Sequence, residues 1–205
     1  MTELNLVLGP MFAGKSTYLI NKATDLIDLG AMSLDQILLI NHSSDSRYAN
    51  NKICTHNGIY ISALSLTNLN DIVNEINNTS NESNESNESN ESNTISNTYK
   101  YLKYIFIDEG QFFNDLYDSI KLLLKNTKLN LQITICGLDG DFKQEPFANS
   151  NILNLIPYAT NITKLNAKCS ICGNTAPFTK RITNSNETIL VGGADDYQPA
   201  CLIHL

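Results

Sequence analysis

The stretch Gly9-Pro10-Met11-Phe12-Ala13-Gly14-Lys15-Ser16-Thr17 is the most informative part of the chain for its fold. It follows a short apolar run, Leu4 to Leu8, and precedes a helical pattern that ends before Gly30. Its spacing matches G-x-x-x-x-G-K-[ST], in which glycines let successive backbone N–H groups point at phosphate oxygens. The N-terminus of the following helix adds partial positive charge. The stretch therefore predicts a strand, a phosphate-binding loop and a helix, in that order.

The end of this loop also predicts two contacts with a nucleoside triphosphate. The Lys15 ammonium should reach the β- and γ-phosphates, and the Ser16 hydroxyl should ligate Mg²⁺. An ordinary strand–helix turn that matches the pattern by chance is the alternative.

Further apolar runs alternate with helical patterns beyond the loop. Continuously apolar strands separated by helices are typical of a parallel sheet that is covered on both faces. In such sheets, ligands bind at the carboxyl ends of the strands. The predicted strands are Ile37 to Ile40, Tyr104 to Ile107 and Leu131 to Cys136, and the predicted helices are Leu69 to Ile76 and a segment from Asn114 or Asp115 to Lys125.

These patterns predict an α/β fold with two parts. Residues 1–163 form a P-loop (RecA-like) nucleotide-binding domain, with a parallel sheet and helices on both faces. After about Lys164 the sequence changes to paired cysteines, turns and short β-like runs, which predict a small zinc-ribbon-like module at 164–205.

Two carboxylates end the strand at Tyr104 to Ile107. Asp108 is suited to hold Mg²⁺ directly or through water, as the corresponding acid does in P-loop proteins. Glu109 would then lie next to the γ-phosphate, where it is a candidate base for an incoming hydroxyl. A pair of solvated acids at a strand end is the alternative.

Three cysteines and a histidine near the C-terminus have the spacing of metal ligands. Cys169-x-x-Cys172 and Cys201-x-x-His204 form two hooks that together fit a tetrahedral, structural Zn²⁺. A thioredoxin-like redox pair at Cys169 and Cys172, or free thiols, are the alternatives.

The segment at 77–98 differs in composition from the rest of the chain. It contains four consecutive Asn-Glu-Ser repeats and almost no apolar residue, which predicts a disordered surface loop. A partner-binding acidic tract is the alternative.

Charge and hydropathy weigh against several classes of protein. The formal net charge is −7, which argues against a general nucleic-acid binder. No apolar run approaches the roughly 20 residues that span a bilayer, and the N-terminus lacks the pattern of a signal peptide. The odd number of cysteines, with three in metal-like spacing, indicates a reducing, intracellular compartment.

A series of motifs, in order, resembles the type II (cytosolic, zinc-containing) thymidine kinases. The match covers nearly the whole chain apart from the Asn-Glu-Ser repeats. The motifs are the phosphate loop at 9–17, Asp45-Ser46-Arg47-Tyr48, Cys54-Thr55-His56, Asp108-Glu109-Gly110-Gln111-Phe112-Phe113, Gly137-Leu138-Asp139-Gly140-Asp141-Phe142, the Cys169–Cys172 hook, Thr179-Lys180-Arg181, and Val191-Gly192-Gly193-Ala194-Asp195 with Tyr197.

The resemblance implies transfer of the ATP γ-phosphate to the 5′-hydroxyl of thymidine, with deoxyuridine as a further candidate acceptor. Glu109 is then the general base, and the zinc ligands are Cys169, Cys172, Cys201 and His204, although many members have Cys at the last position. The implied ATP-binding residues are Gly9, Pro10, Met11, Phe12, Ala13, Gly14, Lys15, Ser16, Asp45, Ser46, Arg47, Asp108, Glu109, Gly110 and Gln111. The implied acceptor-binding residues are Phe142, Thr188, Ile189, Leu190, Val191, Gly192 and Tyr197.

The resemblance also implies properties of the whole enzyme. These are a structural Zn²⁺, Mg²⁺ with ATP, a homotetramer in the cytoplasm, and feedback inhibition by thymidine triphosphate. Two other functions are alternatives. A P-loop ATPase would hydrolyse ATP without nucleoside, and a nucleic-acid-binding zinc ribbon would need a more basic face than 164–205 offers.

Overall fold

The computed structural model describes residues 1–30, 32–45, 51–55, 58–79, 99–147, 150–184 and 192–205. The helices and strands follow in this order: β1 (Glu3–Leu8), α1 (Lys15–Asp28), β2 (Ile37–His42), β3 (Lys52–Cys54), β4 (Tyr60–Ser62), β5 (Leu64–Leu66), α2 (Asn70–Thr79), β6 (Tyr104–Ile107), α3 (Leu116–Lys125), β7 (Gln132–Gly137), β8 (Asn161–Lys164), β9 (Ala167–Lys168), β10 (Thr175–Ala176), β11 (Phe178–Arg181) and β12 (Tyr197–Ala200).

Six strands form the main sheet, in the order β5-β2-β6-β7-β1-β8. Each neighbouring pair in this sheet is parallel. The parallel α/β sheet predicted from the apolar runs is therefore confirmed. The sequence patterns did not predict the two edge strands, β5 and β8, because both are short and partly exposed.

Successive side chains of each strand point to opposite faces of the sheet. Buried apolar side chains of the strands lie on both faces, and helices cover both of them. On one face α1 buries Leu19, Ile20 and Ala23 against Val7 and Phe106. On the other face α2 and α3 pack on the remaining strand residues. This second cluster includes Ile72, Val73 and Ile76 of α2, Leu116, Ile120 and Leu123 of α3, and Leu4, Leu6, Ile105, Ile107, Ile133 and Ile135 of the sheet.

The ends of α1 agree with the sequence. The helix begins directly after Gly14 and its last residue is Asp28. Gly30 follows with φ 60°, a left-handed conformation that glycine adopts without steric cost. The glycine stop predicted for this helix is therefore confirmed.

Asp115 is the N-cap residue of α3, but its carboxylate serves the other helix of that face. Its Oδ2 accepts hydrogen bonds from the backbone N–H groups of Leu69, at 2.7 Å, and Asn70, at 2.8 Å. These are orphan donors at the start of α2, and α3's own N-terminus receives no side-chain cap. Of the two residues predicted to begin this helix, Asn114 or Asp115, the structure has Asp115 as the N-cap residue, but its carboxylate joins two helices that are distant in sequence.

Of the segment at 77–98 that was predicted to be a disordered loop, the structure describes residues 77–79. Asn77 and Thr79 belong to α2, where the Thr79 hydroxyl donates to the Glu75 carbonyl. The Asn77 side chain accepts a hydrogen bond from Asn126 at 2.9 Å. The prediction was wrong for these residues because tertiary contacts extend the helix, and residues 80–98 lie outside the described part of the chain.

The C-terminal region contains two small antiparallel sheets, one of β9 and β10 and one of β11 and β12. They follow β8, which lies at the edge of the main sheet beside β1. None of the helices in the described ranges is long and apolar enough to cross a membrane.

Candidate active site

The loop between β1 and α1 has a left-handed backbone at one glycine and at one other residue. The φ angle is positive at Phe12 (65°) and at Gly14 (84°). Lys15 is buried, and its Nζ donates to the Pro10 carbonyl at 2.7 Å. The loop therefore curls around the lysine that was predicted to contact phosphate.

The C-terminal region supports this loop from outside. The backbone N–H of Met11 donates to the Thr179 hydroxyl at 2.9 Å, although 168 positions separate the two residues. Phe12 and Ala13 pack on a small buried cluster of Ala167, Cys169, Ala176 and Cys201. The loop predicted to bind phosphate and the predicted zinc hooks are therefore in direct contact.

Gly9 makes the closest approach between the loop and the chain that follows β8. A Cβ at this position would overlap the backbone carbonyl oxygen of Leu165, which cannot rotate away. We expect Gly9→Ala to displace the loop and to lower the free energy of unfolding by roughly 1–3 kcal/mol, the usual cost of overpacking, and hence to lower the melting temperature. The displaced loop should also bind ATP more weakly. Calorimetric titration with ATP and thermal unfolding measure both effects. Gly14→Ala is the matched variant, because its Cβ would meet no atom within 4 Å and would suffer only the strain of φ 84°. An equal or smaller loss in Gly9→Ala would contradict the overlap argument.

Asp108 is almost fully buried at the end of β6. Burial, and then the neighbouring charge of Glu109, raise its pKa to about 7. A hydrogen bond with the Ser16 side chain acts in the opposite direction. Two oxygen ligands predicted for Mg²⁺, from different parts of the chain, therefore meet at the carboxyl edge of the sheet.

Glu109 is held at the same edge in an unusual backbone conformation, with φ 52°. Its Oε2 accepts a hydrogen bond from Gln111 Nε2 at 2.5 Å. Gln111 is buried, and its Oε1 accepts from the Leu138 N–H at 2.9 Å. Gln111 thus ties Glu109 to the end of β7, and Gly110 makes this possible because a Cβ there would lie 2.7 Å from Ile135.

His42, which the sequence analysis did not select, lies beside these acids. Its Nδ1 accepts the Ser44 N–H at 3.1 Å, and its ring meets Phe113 edge-on at 4.6 Å. Burial lowers the pKa of His42, and the backbone of Thr67 and the carboxylates of Asp115, Glu109 and Asp45 oppose this effect more weakly.

The lowered pKa of His42 predicts a pH-dependent stability. A folded pKa below the ordinary value of 6.5 means that the unfolded chain binds the proton more tightly. The stabilisation is therefore present above pH 6.5 and is lost as the pH falls towards the folded pKa. We expect His42→Asn, whose amide oxygen can replace the Nδ1 acceptor, to lose less stability on acidification than the unmodified chain. Melting temperatures measured from about pH 8 to pH 5 test this, and parallel curves would contradict it.

Two of the residues predicted for the acceptor lie together, with a third side chain between them. The Arg181 guanidinium carbon lies 3.7 Å from the centre of the Phe142 ring, and Arg181 donates to the Tyr197 hydroxyl at 2.7 Å. Gly192 lies near Asp196, just before Tyr197. The other predicted acceptor residues, Thr188, Ile189, Leu190 and Val191, are outside the described residues.

The nucleotide residues predicted after β2 are described in part. Asp45 is present, and its carboxylate accepts a hydrogen bond from the Asn41 side chain at 3.4 Å. Ser46 and Arg47 lie outside the described residues.

The four predicted metal ligands converge. The ligand atoms of Cys169, Cys172, Cys201 and His204 all lie within 4.8 Å of one another. Three of the separations are 3.6 Å (Cys169 Sγ to His204 Nδ1), 3.7 Å (Cys172 Sγ to Cys201 Sγ) and 3.3 Å (Cys201 Sγ to His204 Nδ1). Bond lengths of about 2.1–2.3 Å to a tetrahedral zinc would place neighbouring ligands roughly 3.6 Å apart. The cluster therefore fits a zinc ion.

Backbone hydrogen bonds favour the metal-binding form of Cys169, the first cysteine of the hook Cys169-x-x-Cys172. Backbone hydrogen bonds from Cys172 and Cys201 lower the pKa of Cys169 to about 5, so the thiolate form is favoured. Thiolate is the form of cysteine that binds zinc. A turn and β10 follow Cys172, so the helix that a thioredoxin-like pair would need is not there.

Comparison with known proteins identifies the family. The sequence model of the family described as "Thymidine kinase" matches residues 2–83 and 71–205. The chain belongs to the thymidine kinase family. The resemblance inferred from the motifs is therefore confirmed.

Individual relatives agree with the family match. A protein named thymidine kinase from rice (Oryza sativa subsp. japonica) is 34% identical over 98% of this chain. The match covers 65% of the rice protein, so this chain spans slightly less than two thirds of its length. A thymidine kinase of Myxoma virus (strain Uriarra) is 34% identical over 97% of this chain and 93% of its own. "Thymidine kinase a" of Arabidopsis thaliana is 33% identical over 98% of this chain and 74% of its own.

Proposed function

We propose that this thymidine kinase family member transfers the γ-phosphate of ATP to the 5′-hydroxyl of thymidine. The observation that supports this most strongly is the position of Glu109 just after central strand β6, directly following buried Asp108, which is hydrogen-bonded to Ser16 in the first turn of α1. Deoxyuridine, which lacks only the methyl group of thymine, is the second acceptor to test.

In this proposal, the loop after β1 is a P-loop in a RecA-like domain. Its backbone N–H groups and Lys15 bind the phosphates of ATP. The remaining nucleotide contacts come from Asp45, Ser46, Arg47, Gly110 and Gln111. Gln111 acts mainly by orienting Glu109, since its side chain is buried and bonded to that carboxylate.

Glu109 is the proposed general base. Its carboxylate accepts the proton of the thymidine 5′-hydroxyl as that oxygen forms a bond to the γ-phosphorus. The bond between the γ-phosphorus and the bridging oxygen breaks, and ADP leaves with that electron pair. The hydrogen bond from Gln111 holds the carboxylate in place without neutralising its charge.

Ser16 and Asp108 are the residues that would hold Mg²⁺. They supply a hydroxyl and a carboxylate oxygen, which are ligands that Mg²⁺ prefers, and they are hydrogen-bonded to each other. Bound there, the ion would neutralise part of the charge of the triphosphate.

The acceptor nucleoside is proposed to bind between Phe142, Tyr197 and the segment at 188–192. Phe142 offers an aromatic wall for the pyrimidine, and Thr188, Ile189, Leu190, Val191 and Gly192 offer backbone groups to its polar edge. Unpaired polar groups facing a wrong base would make such a site selective.

The proposed domain division is 1–163 for nucleotide binding and 164–205 for a zinc-ribbon-like module. Structural Zn²⁺ would be held by the two Cys hooks and would leave no position open for substrate, because four protein ligands complete a tetrahedron. We also propose a cytoplasmic homotetramer that is inhibited by thymidine triphosphate, following the family resemblance.

The test is ATP consumption by the purified protein with Mg²⁺, alone and with each deoxynucleoside, with the products identified. The proposal expects ADP and thymidine monophosphate to appear in equal amounts and only when thymidine is present. ATP hydrolysis that is indifferent to nucleoside would instead support a P-loop ATPase. Size-exclusion chromatography with light scattering tests the tetramer.

A further inference from the structure

Arg181 lies between Phe142 and Tyr197, two residues proposed to bind the acceptor nucleoside. It is the last residue of β11, directly opposite Tyr197 in the antiparallel pair with β12. Phe142 approaches from the turn that follows β7, a different part of the chain. The three side chains form what we call the arginine bridge, composed of Phe142, Arg181 and Tyr197.

The contacts of the bridge are those of a planar cation. The guanidinium carbon is 3.7 Å from the centre of the Phe142 ring and 5.2 Å from that of the Tyr197 ring. The former distance is well inside the roughly 6 Å range of a cation–π contact. One N–H also donates to the Tyr197 hydroxyl at 2.7 Å. A lysine ammonium cannot both stack flat on a ring and donate in its own plane.

The alternation of side chains along β11 connects the arginine bridge to the loop between β1 and α1. Residues two apart on a strand share a face, and the side chain two residues before Arg181 is Thr179, which accepts the Met11 N–H. Lys180, between them, donates to the His204 carbonyl at 2.9 Å beside the metal ligands. The short strand β11 therefore contacts three places: the loop between β1 and α1, the Phe142 ring, and the segment that carries the predicted zinc ligand His204.

We propose that Arg181 is a positioning residue for the acceptor nucleoside. It fixes the Phe142 ring from one side and the Tyr197 hydroxyl from the other, so that the pyrimidine meets a preformed wall. This inference rests on the proposed function. It predicts that loss of Arg181 weakens thymidine binding while ATP binding is kept, because the loop contact is made by Thr179.

The test compares Arg181→Met and Arg181→Lys with the unmodified enzyme in steady-state kinetics and in calorimetric titration with thymidine. We expect the KM and the Kd for thymidine to rise about tenfold in Arg181→Met, the scale of one desolvated cation–π contact with its hydrogen bond. The KM for ATP should stay within about twofold, which is less than the loss of a single hydrogen bond. Arg181→Lys should recover little of the loss, because its ammonium is not planar.

Lys143→Met is the matched control. Its Nζ lies 5.5 Å from the centre of the same Phe142 ring, but the side chain is exposed. If a nearby positive charge were sufficient, this variant would lose thymidine affinity too. We expect the control to leave both KM values unchanged.

Two results would overturn the inference. One is an unchanged KM for thymidine in Arg181→Met, and the other is an equal rise in both KM values with a lower melting temperature, which indicates a general loss of structure. If the unmodified protein neither binds thymidine nor phosphorylates it, the proposed function fails, and the inference fails with it. If it does both and Arg181→Met behaves identically, only the inference fails.

Discussion

Glu109→Gln is expected to reduce kcat by about 10²-fold or more while leaving ATP and thymidine binding nearly intact. The amide is almost the same size as the carboxylate, and its oxygen can still accept the hydrogen bond from Gln111 Nε2. What it cannot do is accept a proton from the 5′-hydroxyl. Single-turnover phosphoryl transfer, with both affinities measured by calorimetry, separates the chemical step from binding.

The control for this variant is Glu145→Gln, which neutralises an exposed carboxylate in the turn after β7. We expect its kcat to be unchanged. Glu109→Gln should also lower the pKa of Asp108, because the charge of Glu109 is one of the causes that raise it. Near-normal turnover in Glu109→Gln would remove Glu109 from the role of base.

Local patterns in the sequence predict the centre of the fold and the carboxyl edge of the sheet. The glycines of the loop with the apolar run before it form one such pattern, and the paired acids with the apolar run that ends at Ile107 form another; each is contained in a short, continuous stretch of sequence. A strand's end and its neighbours in the chain determine such features, so the loop, the helix stop at Gly30 and the position of Asp108 follow without knowledge of tertiary contacts. The two Cys hooks are predictable for the same reason, since a metal demands fixed ligand types and spacing.

The contacts that orient these groups are not predictable in this way. Thr179 and Met11 meet across 168 positions, and Arg181 meets Phe142, which belongs to the turn after β7. Asp115 caps a helix that begins 45 positions earlier rather than its own. A motif at Thr179-Lys180-Arg181 is visible in the sequence, but nothing in it indicates which partner each side chain has, because the partners come from distant parts of the chain.

Cys172→Ala is expected to abolish zinc binding and to raise the KM for thymidine by at least about tenfold, since a bound structural metal supplies much of the folding free energy of a small unit. Cys172 is the suitable ligand to remove because it is exposed, whereas Cys169 and Cys201 are buried. Truncating an exposed side chain leaves no cavity in the core, so the effect can be assigned to the metal. Metal content by elemental analysis and steady-state kinetics provide the measurements.

Cys54→Ala makes the same chemical change outside the metal cluster, on β3, and should keep both zinc and activity. His204→Cys should also keep the metal, because a fourth thiolate completes a tetrahedral site equally well. A zinc-free Cys172→Ala protein with an unchanged KM for thymidine would contradict a structural role for the metal.

The same variant distinguishes two ways in which the metal could support the enzyme. If zinc supports only the segment at 188–192, which is proposed to bind the acceptor nucleoside, the KM for ATP should be unchanged. The structure favours a broader effect, because Phe12 and Ala13 of the phosphate loop pack directly on the cluster that contains Cys169 and Cys201. We therefore expect the KM for ATP to rise as well, by a smaller factor, since Lys15 and its contact with Pro10 lie within the loop between β1 and α1. Arg181→Met, in contrast, should raise the KM for thymidine alone. The two variants together therefore separate support of the loop between β1 and α1 from support of Phe142 and Tyr197.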